Sequence, residues 1–358
     1  MSRWPLAALL AAFFGFLFWN VALRQAALFA IGLAMGAVLA GRRFGFTTGW
    51  RQLVEDRDPR GAVGQLLLLG LAATLSMPLL GHFGELQAAL GPPSVSLLVG
   101  AFVFGLTMQI ADGCGSGTLY KAGLGVPLNM GILPLFALGS FAGSLHLGHW
   151  LELGQTAPVG LVDLWGVGAA LAATWLGLLA LGAAARHYAG WQQRWLDRRW
   201  LGGALALAVL AALNLVVAGQ PWGVVYGFGL WAAKAATALG LFDAAGHAFW
   251  GQPGNLQRLE QSVLLDVTSI TNIGILGGAL WVSARSGDGD ALPLNARQWA
   301  VGLLAGFVMG YSSRLAFGCN IGALLSGVST GSLHGWLWLP LAFAGTLIGI
   351  RVRRYFRF

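Results

Sequence analysis

Ile110-Ala-Asp-Gly-Cys-Gly-Ser-Gly117 and Ala316-Phe-Gly-Cys-Asn-Ile-Gly322 each interrupt a long apolar run with small residues around a single cysteine. Glycine enters left-handed backbone freely and weakens a helix that runs through it, so both runs should break here. Broken backbone at membrane depth is tolerated only where protein buries it or where it lines a cavity. A half-helix starting near Gly115 would aim free N–H groups and a positive dipole end at that cavity, which suits an anion. At the second break Asn320 adds an amide donor.

Working outward, the two breaks belong to a repeat. A shift of 205 positions (319 − 114) lays Gly105 on Gly310, Gly113 on Gly318, Cys114 on Cys319 and Gly117 on Gly322. One further inserted residue brings Leu133-Pro134-Leu135 onto Leu339-Pro340-Leu341, and Gly139 and Gly143 onto Gly345 and Gly349. A span needs about 20 apolar residues to cross a ~30 Å hydrocarbon layer. Runs of that kind lie at 4–23, 26–41, 62–81, 94–111, 127–148, 160–185, 201–219, 263–284, 299–317 and 333–350. Shorter apolar pieces at 46–53, 115–124 and 320–328 read as re-entrant half-helices, while 223–241 is ambiguous in length. The expectation is an all-α polytopic membrane protein with nine to ten spans and about four half-helices. Chain 1–358 is one membrane domain: a first repeat near 26–150, a connecting span at 160–200, and a second repeat near 201–354.

Composition requires the membrane class independently. Of 358 residues 57% are hydrophobic and 9% charged, against ~25% charged in an average soluble domain. Fifty-five glycines and sixteen tryptophans agree, since glycine is common in membrane helices and tryptophan gathers at interfaces. The net charge of +8 would point to nucleic acid in a soluble protein, but here the arginines sit in connections, so no nucleic acid is expected. Arg42, Arg43, Arg51, Arg57 and Arg60 follow the second span; Arg186, Arg194, Arg198 and Arg199 follow the sixth; Arg351, Arg353, Arg354 and Arg357 close the chain. Loops 82–93 and 149–159 have no lysine or arginine, and loop 286–298 is neutral on this point. Ten spans with both termini cytoplasmic satisfy the pattern. Equivalent spans are then five apart, an odd number, so the repeats face opposite ways, a recurring transporter design. The apolar run at 4–23 has no Ala-x-Ala cleavage site and is expected to be retained as a span.

Cys114 and Cys319 are too few for a disulfide framework and read as free thiols. A buried cysteine is ordinarily a small hydrophobe. As the chain's two cysteines, at equivalent repeat positions beside glycine breaks, they read instead as two thiols on one path, entering from opposite faces. No metal is expected, because no third cysteine or histidine has ligand spacing. Other polar groups within the spans are Asp112, Lys121, Arg314, Asp266, Asn272 and His334, and such residues usually face a pathway or a partner. Asp112 and Lys121 either neutralise each other or serve the path. Arg314 either attracts an anion or pairs with Asp112, and His334, near Trp336 and Trp338, is expected at the interface. No nucleophile set, carboxylate pair or phosphate loop is present, so no enzyme is expected.

On these residues the chain resembles the YeeE/YedE sulfur-transport family. The longest matching block runs from Ser313-Arg-Leu-Ala-Phe-Gly-Cys-Asn-Ile-Gly322 through Trp338, with support from Ala111–Gly123, Arg43-Phe-Gly-Phe-Thr-Thr-Gly-Trp-Arg51 and Pro221–Trp231. The first span and residues 160–200 are similar only in hydropathy. The resemblance implies thiosulfate uptake across the bacterial inner membrane, with selenium species as the alternative, and no cofactor. It implies an hourglass body entered by half-helices from both faces, with 223–241 a half-helix as well. Cys114 and Cys319 inherit the thiol role, and Gly113, Gly115, Gly318 and Asn320 shape the loops. Many members have a third cysteine where this chain has Gly45. A small TusA-like cytoplasmic sulfur carrier is the implied partner. Two other readings stay open on the residues alone: a channel for another small solute, or a membrane subunit of a sulfur-handling enzyme.

Overall fold

The structure, a computed structural model, describes residues 3–286 and 294–358, so 287–293 of the neutral connection lie outside the described residues. Helices follow in the order α1 (Arg3–Asn20), α2 (Leu23–Gly41), α3 (Phe46–Glu55), α4 (Arg60–His82), α5 (Val95–Ile110), α6 (Gly115–Gly123), α7 (Pro127–Glu152) and α8 (Leu161–Ala189). The second part holds α9 (Arg198–Ala218), α10 (Val225–Ala238), α11 (Pro253–Glu260), α12 (Val267–Ser286), α13 (Ala296–Leu315), a π-helical stretch Asn320–Leu325, α14 (Ser326–Ser329) and α15 (Leu333–Tyr355). Polar residues mark several starts, as a free first-turn N–H requires. Ser94 accepts from the Leu97 N–H, Asp197 from the Arg199 N–H, and Asn295 closes a capping box with Gln298. Proline opens α7 and Gly219, left-handed, ends α9.

Nine helical stretches among the described residues are long and apolar enough to cross a membrane, those built on α2, α4, α5, α7, α8, α9, α12, α13 and α15. The chain is an all-α multi-pass membrane protein. The sequence predicts a tenth span at 4–23; α1 is helical there, but its apolar part, Trp4–Asn20, is shorter than the other nine. The span predicted from 263 begins at Val267, because a 3-10 turn (Val263–Leu265) precedes it and the Asp266 carboxylate caps the helix on the Ser269 N–H at 2.7 Å.

Helices pack in matched pairs. α2 lies along α12 and α4 along α9; α7 lies along α13 and α5 along α15. If α2 corresponds to α9 and α4 to α12, the first pair maps onto the second. With α5 on α13 and α7 on α15, the third maps onto the fourth. The glycines of the repeat set how close these pairs come. A β-carbon on Gly105 would run into the Ala342 carbonyl, and one on Gly310 into the Phe136 carbonyl, positions equivalent under the repeat. Small residues at such contacts let helices approach where no hydrophobic force drives them together. Gly310→Val is therefore expected to cost about 1–3 kcal/mol of overpacking, read as a lower melting temperature in detergent. Gly148→Ala, where nothing lies within 4 Å, should leave melting unchanged; equal behaviour of the two variants would count against this packing.

Candidate functional site

Both cysteines stand at the first residue before a short helix. Cys114 caps α6 with extended backbone (φ −81°, ψ −172°) and Cys319 caps the π-helical stretch in nearly the same way (φ −103°, ψ −166°). Two residues earlier, Asp112 (φ 53°) and Phe317 (φ 57°) are both left-handed, a conformation costing a non-glycine residue roughly 1–2 kcal/mol. Beyond the short helices, Gly125 (φ 83°) and Gly331 (φ 76°) turn the chain into α7 and α15. Left-handed turns therefore flank both cysteine loops at corresponding places.

The two loops meet in the core. Cys114 Sγ lies 3.4 Å from Ser116 Oγ, and the Ile321 N–H donates to Cys319 Sγ at 3.4 Å. Cys319 also faces the N–H groups of Gly322 and, from the other loop, Ser116. A β-carbon on Gly115 would stand 3.1 Å from Cys319 Sγ, so glycine lets the second thiol approach the start of α6 closely. The thiols are 1% and 0% exposed and not bonded to each other. Beside them Asn320 is fully buried with neither amide atom paired, and Thr118 Oγ1 and Trp222 Nε1 are buried without partners too. An unmet buried polar group costs about 1–3 kcal/mol, which a polar solute in the core would remove.

Two further helices, α3 and α10, are braced alike. Gln65 Nε2 on α4 donates to the carbonyls of Gly45 (3.0 Å) and Phe46 (3.2 Å), where α3 begins. Asn272 Nδ2 on α12 donates to the Val224 carbonyl at 2.9 Å, where α10 begins. Asn272 thus has a bracing partner, and Gln65, which sequence reading passed over, is its equivalent. An amide within an apolar span was the signal for both.

Charge is distributed unevenly. Lys121 Nζ lies 2.6 Å from Asp112 Oδ2 and also donates to the Asp112 carbonyl, while Arg51 (2.9 Å) and Arg353 (3.3 Å) share Oδ1. One carboxylate therefore holds cations from α3, α6 and α15. Arg314 does not pair with Asp112. Its guanidinium lies over the rings of Phe249 (4.7 Å) and Tyr226 (5.5 Å), and its Nε is buried without a partner. Asp112 lies in the loop after α5, whereas Arg314 lies in the last turn of α13. His334 is 1% exposed, bonds Ser332 Oγ through Nδ1 at 2.6 Å and meets the Phe317 ring edge-on. Asp58, in the connection before α4, is held below the ordinary carboxylate range by the Arg60 guanidinium that donates to it. Among the described residues no three His, Cys, Asp or Glu side chains converge to hold a metal ion.

Comparison with known proteins matches the sequence to one family. The family model described as sulphur transport matches residues 41–348, which include both cysteine breaks. The chain is 26% identical over 327 residues to the thiosulfate transporter TsuA of Spirochaeta thermophila, an alignment covering 86% of this chain and 92% of that relative. It is 23% identical over 341 residues to the TsuA of Escherichia coli, covering 88% and 90%. To the probable transporter YedE of Escherichia coli it is 28% identical over 170 residues, 45% of this chain and 40% of that one. With a match this long, running through the broken helices and the paired spans, the chain belongs to the sulphur-transport family.

Proposed function

We propose that this protein carries thiosulfate, or a closely related sulfur anion, inward across the bacterial inner membrane along the thiols of Cys114 and Cys319. The observation that carries the reading is the meeting of two buried free thiols, each at the start of a short helix, beside the unpaired amide of Asn320. Full-length relatives named thiosulfate transporters support it. A thiol is a weak, polarizable donor that suits the terminal sulfur of thiosulfate, and several weak contacts in series bind without trapping, as permeation requires. Backbone N–H groups at both short helices oppose the anion's charge. The protein moves its substrate and does not transform it.

The same reading takes residues 26–150 and 201–354 as inverted repeats and α3, α6, α10 and the Asn320–Ser329 segment as re-entrant half-helices, with 160–200 connecting them. The arginine-rich end is cytoplasmic by the positive-inside rule, and both termini lie there. Arg314, on the opposite side of the thiols, attracts the arriving anion, while Lys121 and Asp112 lie on the way out. Glycine at position 45 leaves two thiols for the passage, and a small TusA-like carrier receives the sulfur on the cytoplasmic side. Selenium analogues of the same anion fit the same thiols.

Uptake of labelled thiosulfate by vesicles holding the purified protein tests the reading, with and without an imposed proton gradient. Saturable uptake, with formate and water flux at the level of empty vesicles, is expected. No thiosulfate uptake in either condition would end the proposal.

A further inference from the structure

The arginine-rich end contains a cavity of about 640 Å³ whose wall includes Tyr120, Thr48, Arg43, Lys121 and Arg199. Tyr120 ties it to the thiols. It lies on α6, the helix that Cys114 caps, and is 3% exposed. Its hydroxyl stands beside Gly45: a β-carbon there would be 3.3 Å from Tyr120 Oη and 3.4 Å from Thr48 Oγ1. Glycine at that point puts no side chain against the two hydroxyls, and both residues line the cavity.

The wall carries surplus positive charge. Among the described residues, Arg60, Lys121 and Arg199 face two carboxylates there, Asp58 and Asp197. Both carboxylates lie on Arg60, at 2.7 and 3.7 Å. Arg199 donates to the carbonyls of Arg42 and Arg43, which fix the guanidinium without neutralising it. Lys121 shares the single carboxylate of Asp112 with two arginines. A cleft lined by one sign of charge concentrates the opposite sign, and guanidinium with hydroxyl donors fits the oxygens of a compact dianion.

We propose that this cavity is an inner binding site for a tetrahedral oxyanion, with the Tyr120 hydroxyl as hydrogen-bond donor and Lys121 and Arg199 as counter-charges. The site rests on the transport reading for its place on the path, but it recognises charge and oxygen where the thiols recognise sulfur. It therefore binds sulfate as well as thiosulfate, and does so without the cysteines.

The test is equilibrium dialysis of labelled sulfate against the purified full chain in detergent at low ionic strength. Saturable binding is expected for wild type and for the Cys114→Ser, Cys319→Ser double variant. Tyr120→Phe keeps the ring and should weaken binding about tenfold, the worth of one hydrogen bond to a charged group. Arg199→Gln should weaken it at least as much, whereas Arg297→Gln, which removes an exposed charge stacked on Tyr355 and Phe356 at the same end, should stay within about twofold, as screened surface charge does. Three outcomes overturn the site: no saturable sulfate binding by wild type, loss of binding in the double serine variant, or equal weakening by Arg297→Gln and Arg199→Gln. Thiosulfate uptake without sulfate binding removes this site and leaves transport standing; sulfate binding without uptake does the reverse.

Discussion

Cys114→Ala and Cys319→Ala are each expected to lower thiosulfate uptake about 10- to 100-fold. Each leaves a desolvated anion facing a methyl group where a donor stood. A hydrogen bond to a charged group is worth about 1.5–3 kcal/mol, and each ~1.4 kcal/mol added to a barrier costs tenfold in rate. Serine should fall between alanine and cysteine, because a hydroxyl donates but meets sulfur poorly. Both residues are small and buried, so melting should barely change, which separates lost transport from lost fold. Uptake at the wild-type rate in both alanine variants would remove the thiols from the path.

The largest stability effect is expected at Asp112. Removing its charge leaves Lys121, Arg51 and Arg353 close together with nothing between them. Deleting one partner of a largely buried ion pair costs about 3–5 kcal/mol, and the partial exposure of this cluster places Asp112→Ala near the lower figure. Thermal melting of the purified variants reads it. Asp112→Gly removes the same charge but relieves the left-handed backbone, so it should melt above Asp112→Ala. Equal melting of wild type and Asp112→Ala would show that the cluster is solvated and idle.

The backbone around the two cysteines was legible in the sequence; the partners of the nearby charges were not. The glycine breaks fixed where helices stop because glycine acts locally, and the 205-residue shift carried over to backbone angles at Asp112 and Phe317. Long-range pairing leaves no local trace. Arg353 reaches Asp112 across most of the chain, and Arg314 finds its aromatic partners in Tyr226, at the start of α10, and Phe249, in the loop that follows it. Hydropathy could not anticipate either. Proximity to two tryptophans gave no sign that His334 is buried with Ser332 as its partner. Tyr120 was overlooked because a tyrosine on a short apolar helix looks like packing until its hydroxyl is seen beside Gly45.

Pairing between the two halves also governs how the protein is made. α2 lies along α12 and α7 along α13, so an early span reaches the bilayer long before its neighbour is translated. At ~5–20 residues per second, α2 waits tens of seconds in lipid, with the small-residue face that α12 will cover still open. The nascent first half is thus a client for whatever insertion machinery shields unpaired helices. By the same logic, the two halves synthesised as separate polypeptides in one cell should find each other and assemble.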